Sequence, residues 1–447
     1  MSKRLIIVLA LALVVGLTFS AAYAEVQNVK VSGDIIVSGV ARNHFNLDNG
    51  PAGDKKNIAQ SFFMSQTRVR IDADLTDNVA ATVRLINERV WGGLDDDSTN
   101  DNSKIDLDLA YVTLKEFLYS PLTLTIGRQE ISFGNSLIIG DAGSSAGRTN
   151  IPSDLSLRKS FDALRATLNY DPLVVDVIYA KVKENSIDRN NDISLAGINA
   201  TYAINNKVDL SAYYFLKRDN DDGTTDGSNG KADKVNVIGT LVSIRPIEDL
   251  VTSLEAAYQF GKNDGTGGSV TQSKHRAFAI QAMADYTFSE VKMTPKIGAS
   301  YTYLSGGQAS SNKNGGWDSM FYDQALNNIT YAILPFTNMQ VVNLRASAKP
   351  ADDITVLANY GYYDVAKAAS GETFDSPSAY GTSSNYISNG TYTGKKHLGD
   401  AIDITVLYDY TEDVQFGLTG GWFKTGNALS SNGRDANQLI ASMKVTF

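Results

Sequence analysis

The 447-residue chain contains no cysteine, only 9 prolines and 3 histidines, and no polybasic run. The lack of cysteine excludes a disulfide framework and suits a protein exported through an oxidising compartment. The lack of a basic run argues against a nucleic-acid-binding protein. Beyond the N-terminus, no stretch approaches about 18 consecutive apolar residues, so the sequence predicts no membrane-spanning helix. Acidic residues outnumber basic ones, 49 to 40.

The N-terminal residues are predicted to form a secretory signal peptide rather than part of the fold. The basic pair Lys3 and Arg4 precedes the apolar stretch Leu5–Gly16, and an Ala-Tyr-Ala cleavage site ends at Ala24. An N-terminal membrane anchor is the alternative interpretation. Residues 25–447 are then expected to form a single domain.

What the sequence has in abundance is alternation of apolar and polar residues. In the stretch Thr67–Leu75, Val69 and Ile71 share one face and Arg68 and Arg70 share the other. Such alternation over about ten residues, between turn residues, is the signature of transmembrane barrel strands. A soluble β-helix or propeller would require a fixed repeat of about 20–50 residues, and we find none.

The connections between these stretches alternate between short turns and long loops. Eight are short and nine are long, which predicts 18 strands, an even number as in bacterial single-chain barrels. Short turns belong on the periplasmic side and long loops on the cell exterior. The predicted fold is therefore all-β: a transmembrane antiparallel up-and-down β-barrel of 18 strands in the bacterial outer membrane.

Charged residues at strand centres are expected to face a water-filled lumen, because the outer face of a barrel must be apolar. A barrel of this size is wide enough for an aqueous channel. Arginine binds carboxylates bidentately, so the arginines favour anionic solutes, whereas the acidic neighbours leave the sign of the preference open. Each charge could instead pair across strands and only rigidify the wall. The predicted pore lining comprises Arg68, Arg70, Asp72, Arg84, Glu88, Asp106, Asp108, Arg128, Glu130, Arg165, Glu255, Lys292, Lys296 and Arg345.

One long loop, 131–158, is interpreted as a constriction that folds into the lumen. Gly134 and Gly140 are candidate hinges. An exposed surface loop is the alternative interpretation. The positively charged residues of this predicted constriction are Arg148, Arg158 and Lys159.

The stretch Leu122–Gly134, LTLTIGRQEISFG, contains a conflict within the alternation pattern. Its leucines and Ile126 share parity with Arg128 and Glu130, so one face would hold apolar and charged side chains together. A β-bulge at Gly127 would reverse the parity. Alternatively, the leucines face inward and the threonines face lipid. Both arrangements predict that Arg128 lines the pore near its narrowest point.

Two stretches resemble motifs of the alginate export family of outer-membrane barrels: GRQEISFGNSLIIGD, residues 127–141, and RKSFDALRATLNY, residues 158–170. The resemblance implies a monomeric 18-stranded barrel whose Arg- and Lys-rich lumen passes an anionic uronate polymer. The mixed charge of the predicted lining departs from that pattern. The positions that match are Gly127, Arg128, Gln129, Gly134, Phe161, Asp162 and Arg165, and Arg158 stands one position early.

The C-terminal stretch QLIASMKVTF is amphipathic and ends in Phe447. It resembles the signal by which outer-membrane barrels are recognised by the barrel-assembly machinery. An ordinary soluble edge strand is the alternative interpretation. The resemblance names the assembly machinery as an expected partner, together with outer-membrane lipid.

The expected function is passive, selective diffusion of small hydrophilic or anionic solutes, with uronate-type saccharides as one candidate class. A non-conducting surface receptor or adhesin is the alternative. An outer-membrane hydrolase is least favoured: Gly143–Gly147 fits the pattern G-x-S-x-G, but no helix signal follows it. The acidic groups near 95–101 and 219–226 match no calcium-loop spacing, so we predict neither a metal nor another cofactor.

Overall fold

The computed structural model describes residues 28–45, 47, 59–92, 104–144, 151–184, 192–220, 233–263, 273–307, 313–368, 370–374, 390–429 and 434–447. The predicted signal peptide lies outside these ranges. Within them, no helix is long and apolar enough to cross a bilayer.

The described chain is almost entirely β-structure. Its first eleven strands are β1 (Asn28–Asn43), β2 (Ala59–Thr76), β3 (Val79–Val90), β4 (Asp106–Leu114), β5 (Leu122–Gln129), β6 (Phe161–Asn169), β7 (Leu173–Lys183), β8 (Ile193–Asn205), β9 (Val208–Asp219), β10 (Asp233–Ile247) and β11 (Leu250–Asn263).

The second half of the chain continues in the same way. Its strands are β12 (Ser273–Thr287), β13 (Lys296–Leu304), β14 (Lys313–Asn314), β15 (Met339–Ala351), β16 (Ile354–Val365), β17 (Ser370–Phe374), β18 (Gly390–Thr393), β19 (His397–Asp409), β20 (Val414–Thr425) and β21 (Ala436–Thr446). A short α-helix, α1 (Asn328–Ile333), and a 3₁₀ turn, Ser153–Leu155, lie between strands.

Eighteen of these strands form a closed antiparallel barrel, which confirms the predicted fold and strand number. Each barrel strand pairs with the next one in the chain, and β14, β17 and β18 stand apart from this order. Closure joins β1 to β21 from Asp34↔Thr446 to Asn43↔Asn437. Phe447 extends the closure, since its backbone N–H and C=O both bond to Gly33, at 3.0 and 2.8 Å. Closure leaves no unpaired sheet edge in the bilayer.

The alternation predicted from the sequence separates an apolar outer face from an inner face. In β11 and β12, for example, Tyr258 and Phe278 face outward and are exposed, whereas Ala257 and Ala277 face inward and are buried. Outward residues such as these cover the barrel with the apolar surface that lipid requires.

One bulge changes which side chains face the lumen. The register of β3 with β4 shifts between Arg84 and Leu85, so that Asp108 and Leu109 together lie opposite Arg84. Leu109 is therefore buried inside the barrel, with an exposed fraction of 2%. Simple alternation would place it on the lipid face with Leu107, which is exposed.

The proposed bulge at Gly127 is absent from the pairing of β5. Both neighbours of β5 pair with it in unbroken register, through Tyr111↔Gly127 and Gly127↔Ala163. The parity of the strand therefore does not reverse. Ile126 and Arg128 share one face, and Ile126 is exposed on the outside of the barrel.

Two segments fold into the barrel interior from its long-loop end. We define the β5–β6 segment as the described residues 130–144 and 151–160, and the β13–β15 segment as 305–307 and 313–338. Ile139 of the first bridges to Phe321 of the second, and Gly140 N–H donates to Phe321 O at 2.7 Å. Both segments pack their apolar side chains against the inward faces of β6–β20. The fully buried members of this cluster include Ile131, Leu137, Ile139, Phe161, Leu195, Phe215, Val237, Ile329, Ala332 and Phe423.

Candidate functional site

A buried ion-pair network fixes the β5–β6 segment to the wall formed by β3 and β4. Arg158 Nε donates to Glu88 Oε2 at 3.1 Å, and Arg158 Nη1 donates to Asp106 Oδ2 at 2.6 Å. Glu88 also accepts from Ser156 Oγ and from the backbone N–H of Leu157, both at 2.8 Å. The side chains of Arg158 and Glu88 are 3% and 0% exposed. Arg158 and Glu88 therefore anchor the segment and do not meet a passing solute, whereas the Asp106 side chain is 32% exposed.

Two further arginines also form ion pairs inside the barrel. Arg84 Nε donates to Asp108 Oδ2 at 2.6 Å, and its Nη2 donates to Glu130. Arg42, near the long-loop end of β1, pairs with Asp154 of the β5–β6 segment, and both side chains are buried. The alternative that the sequence left open, that charged residues pair with one another instead of facing the solute, therefore holds around β3 and β4.

Two arginines on β2 keep contact with the lumen. Arg68 Nε donates to both oxygens of Asp34, at 3.0 and 3.1 Å. Arg70 donates to both oxygens of Asp72, at 2.7 and 2.9 Å. The Arg68 and Arg70 side chains are 20% and 36% exposed. A guanidinium carries five N–H donors, so a bidentate pair with one carboxylate leaves donors for an incoming anion.

The pairing register of β2 with β3 brings these arginines close to another one. Arg70 lies directly opposite Arg84 in the pairing of β2 with β3. We call Arg68, Arg70 and Arg84 the arginine wall. It faces the part of the lumen that the two inserted segments leave polar, because their apolar side chains pack against the other side of the barrel.

Two arginines outside the arginine wall also reach the interior. Arg165 Nε donates to Asp176 Oδ1 at 2.8 Å, and its guanidinium lies 5.4 Å from the ring centre of Phe133. Arg345 Nη2 donates to Asp285 at 3.2 Å. Both arginine side chains are about a quarter exposed, at 29% and 26%.

Four predicted pore-lining residues lie outside the open part of the lumen. Glu255 is buried beneath the β5–β6 segment and accepts a hydrogen bond from Tyr213 Oη at 2.8 Å. Lys292 lies in the turn between β12 and β13 instead of on a strand, because β13 begins only at Lys296. Lys296 itself is exposed at the short-turn end of the barrel.

Arg128 is the fourth, and its position contradicts the prediction that it lines the pore. Its outward face is shared with Ile126 and with Leu164, which are exposed apolar residues. Arg128 Nε and Nη2 donate to Asp162 at 2.8 and 2.7 Å, and Nη1 donates to Leu107 O at 3.1 Å. The pair lies on the outside of the barrel, near its long-loop end.

Replacement of Arg128 by alanine is therefore expected to leave the reversal potential in a salt gradient unchanged. The charge lies on the outer face and is already neutralised by Asp162. The measurement is made in planar bilayers beside Arg70→Gln, whose guanidinium is partly exposed inside. A clear shift for the Arg128 variant would place this side chain in the permeation path after all.

The residues of the predicted constriction have different structural roles. Gly134 adopts a left-handed φ of 56°, which favours glycine. Gly140 is required by close approach: a Cβ there would lie 2.5 Å from Cβ of Asp323. Lys159 pairs with Asp323 of the β13–β15 segment. Arg148 lies outside the described residues, as does most of the G-x-S-x-G match.

The β5–β6 segment contains one carboxyl group with a shifted pKa, that of Asp141. Burial raises the pKa of Asp141 to about 6, although the Gly143 N–H bond and the nearby Lys159 oppose the shift. Among the residues that the structure describes, no group of three or more His, Asp or Glu side chains is placed to hold a metal ion.

Sequence reasoning missed the acidic partners of the interior arginines. Asp34, Asp176 and Asp285 occupy inward positions of strands, so alternation alone could have found them. Asp154 and Asp323 belong to the inserted segments, where no periodic signal exists. Their pairing with Arg42 and Lys159 depends on how the segments fold into the barrel.

Comparison with known proteins supports the same architecture. The family model described as alginate export matches residues 40–441. No match is found among curated proteins. Three similar crystal structures come from Pseudomonas aeruginosa, and at their low identities the likeness establishes the fold alone. OpdQ is 13% identical with a TM-score of 0.56, and the match covers 94% of this chain and 99% of OpdQ. OccK8 (OprE) is 14% identical with a TM-score of 0.57, and the match covers 94% of this chain and 99% of OccK8. OccK2 (OpdF) in complex with glucuronate is 11% identical with a TM-score of 0.56, and the match covers 94% of this chain and 97% of OccK2.

Proposed function

Because this chain belongs to the alginate export family of outer-membrane barrels, we propose that it is a passive channel for small anionic solutes, with hexuronates as the favoured class. The single observation that carries this proposal is the arginine wall. Two of its guanidinium groups, those of Arg68 and Arg70, are partly exposed inside a barrel into which two apolar segments are inserted.

The chemistry of the wall suits a sugar carboxylate. A carboxylate can take the guanidinium donors that Asp34 and Asp72 leave free, in a planar and partly desolvated arrangement. The internal carboxylates keep the wall close to neutral, so a bound anion is not held too tightly to leave. Conduction requires both favourable binding and ready release. The similar OccK2 (OpdF) was crystallised in complex with glucuronate, which supports the choice of hexuronates for this chain.

The proposed pore lining is smaller than the sequence suggested. It comprises the groups that stay partly exposed inside the barrel. These are Arg68, Arg70, Asp72, Asp106, Glu130, Arg165 and Arg345.

Reconstitution in planar bilayers tests the function. With a KCl gradient, we expect a reversal potential that indicates anion preference, and glucuronate should reduce the chloride current in a concentration-dependent way. The double variant Arg68→Gln/Arg70→Gln should lose most of that preference, because it removes both exposed guanidinium groups. The control Arg245→Gln removes a cation that lies at the short-turn end and pairs with Asp209.

Negligible conductance would refute the channel and favour the alternative, a surface receptor. Cation preference, or glucuronate block that is unchanged in the double variant, would refute the role of the arginine wall.

We propose further that the chain acts as a monomer without catalytic activity, and that the barrel-assembly machinery recognises its C-terminal strand. The position of Phe447 supports the last point. Its ring lies so close to Gly33 that a Cβ on Gly33 would come within 2.7 Å of it. The terminal aromatic residue thus becomes part of the closing seam between β1 and β21.

A further inference from the structure

Four basic side chains form a continuous row on the outside of the barrel. Arg218 of β9 lies opposite Lys234 of β10, Lys234 lies opposite Lys262 of β11, and Lys262 lies opposite Lys274 of β12. All four are exposed. We call these four residues the basic row.

The position of the basic row follows from the same register. Four residues further into the barrel, Tyr214, Ile238, Tyr258 and Phe278 form a second row across the same strands, and all are exposed outward. A rise of about 3.4 Å per residue separates the two rows by about 14 Å. The apolar and aromatic row belongs to the lipid-facing band and its interfacial girdle. The basic row therefore lies beyond that band, at the long-loop end.

The row is unfavourable on its own. Like charges directly opposite each other on neighbouring strands repel and destabilise the pair. Within the described ranges, Lys234, Lys262 and Lys274 form no ion pair, and the Arg218 Nε bonds only to the amide oxygen of Asn220, at 3.1 Å. A fifth cation, Arg276, is exposed on the same face, one residue pair below the row.

Several other cations on the outer face near this rim have acidic partners. At the same end of the barrel, Arg128 pairs with Asp162, and Lys181 pairs with Asp192. Lys424 of β20 lies opposite Asp400 of β19. Across β9–β12, in contrast, cations lie directly opposite cations, and an external anion would offset their repulsion.

We propose that the basic row binds the phosphate groups of the anionic lipid in the outer leaflet. Its height, just beyond the aromatic girdle, is that of lipid headgroups, whereas a solute in the lumen cannot reach it. Strand spacings of about 4.8 Å give the row a length of about 14 Å, enough to meet two phosphates of one large headgroup. Arginine and lysine both bind phosphate, and basic clusters beside a membrane attract anionic lipid.

The test uses the full-length folded barrel in zwitterionic detergent, titrated with lipid A and followed by native mass spectrometry. We expect binding to weaken with monophosphoryl lipid A and to fall further with a phosphate-free glycolipid of the same acyl chains. The quadruple variant Arg218→Gln/Lys234→Gln/Lys262→Gln/Lys274→Gln should bind lipid A at least tenfold more weakly. Added salt should weaken binding to the wild type more than binding to the variant.

Two controls make the result specific. The double variant Lys181→Gln/Lys424→Gln removes balanced cations at the same rim and should bind lipid A like the wild type. The charge-conserving variant Arg218→Lys/Lys234→Arg/Lys262→Arg/Lys274→Arg should also retain binding, and heat-dependent gel mobility verifies that each barrel is folded.

Undiminished binding by the quadruple variant, or equal affinity for the phosphate-free glycolipid, would overturn the proposal. Displacement of lipid A by a soluble oligouronate would also overturn it, since the row would then serve a polyanion instead of a lipid. None of these outcomes depends on whether the barrel conducts.

Discussion

Replacement of Arg158 by alanine is expected to raise the single-channel conductance several-fold. Arg158 is the only cation within ion-pair distance of Glu88 among the described residues, and the Glu88 side chain is fully buried. Removing one partner of a buried ion pair costs about 3–5 kcal/mol, because an uncompensated charge remains. The carboxylate regains its solvation most readily if residues 151–160 leave the wall and water enters. The same displacement removes material from the lumen.

Single-channel recording in planar bilayers measures this effect. The double variant Glu88→Gln/Arg158→Gln is the matched control, since it removes both charges and retains hydrogen-bonding groups at both positions. It should conduct nearly as the wild type does. If the single variant is folded and its conductance equals that of the wild type, the ion-pair network does not hold the constriction in place.

Replacement of Gly140 by alanine should also open the lumen, through packing instead of charge. The new Cβ would lie 2.5 Å from Cβ of Asp323 and 2.9 Å from Cβ of Ser136, so the two inserted segments must move apart. Overpacking of this kind costs about 1–3 kcal/mol. The separation strains the bonds from Gly140 N–H and Asp141 N–H to Phe321 O, at 2.7 and 2.9 Å.

We expect a higher conductance for this variant, together with faster trypsin cleavage after Lys159. Gly315→Ala is the control within the β13–β15 segment. The nearest atom to a Cβ there is Gly306 O at 3.4 Å, an ordinary contact. Equal behaviour of the two variants would show that contact between the inserted segments does not set the width of the channel.

The lumen is asymmetric, and this asymmetry explains how mixed charges can still favour anions. The inserted segments fill the side of β6–β20 with apolar side chains. The buried pairs of Arg84, Arg158 and Arg42 neutralise the anchor of the β5–β6 segment. What stays accessible is a small set of partly exposed pairs, in which the guanidinium groups of Arg68 and Arg70 retain unused donors.

The basic row and the arginine wall illustrate two uses of the same residue types. Charges that alternate into the lumen find carboxylates on neighbouring strands, as Arg68 finds Asp34. The charges of the basic row meet like charges, and they lie on the opposite face. Composition alone cannot separate the two groups, because the distinction depends on strand parity and on the end of the strand.

The sequence by itself determined the barrel. Alternation with a period of two is a local property of an extended strand, and turn residues between strands are equally local. Both signals can be read without knowing which strands are neighbours. The strand number, the alternating connections and the apolar outer face were therefore predicted correctly. In a closed up-and-down barrel the first strand must pair with the last, as β1 does with β21.

Only the tertiary structure decided which charges are available. The bulge at Asp108 changed the parity of one strand, and the unbroken register at Gly127 placed Arg128 outside the barrel. Arg158 and Lys159 meet partners distant in sequence, Glu88 and Asp323, through folding of segments that carry no periodic signal. Ion pairing depends on register and on insertion into the lumen, and neither property is encoded in the residues next to each charge.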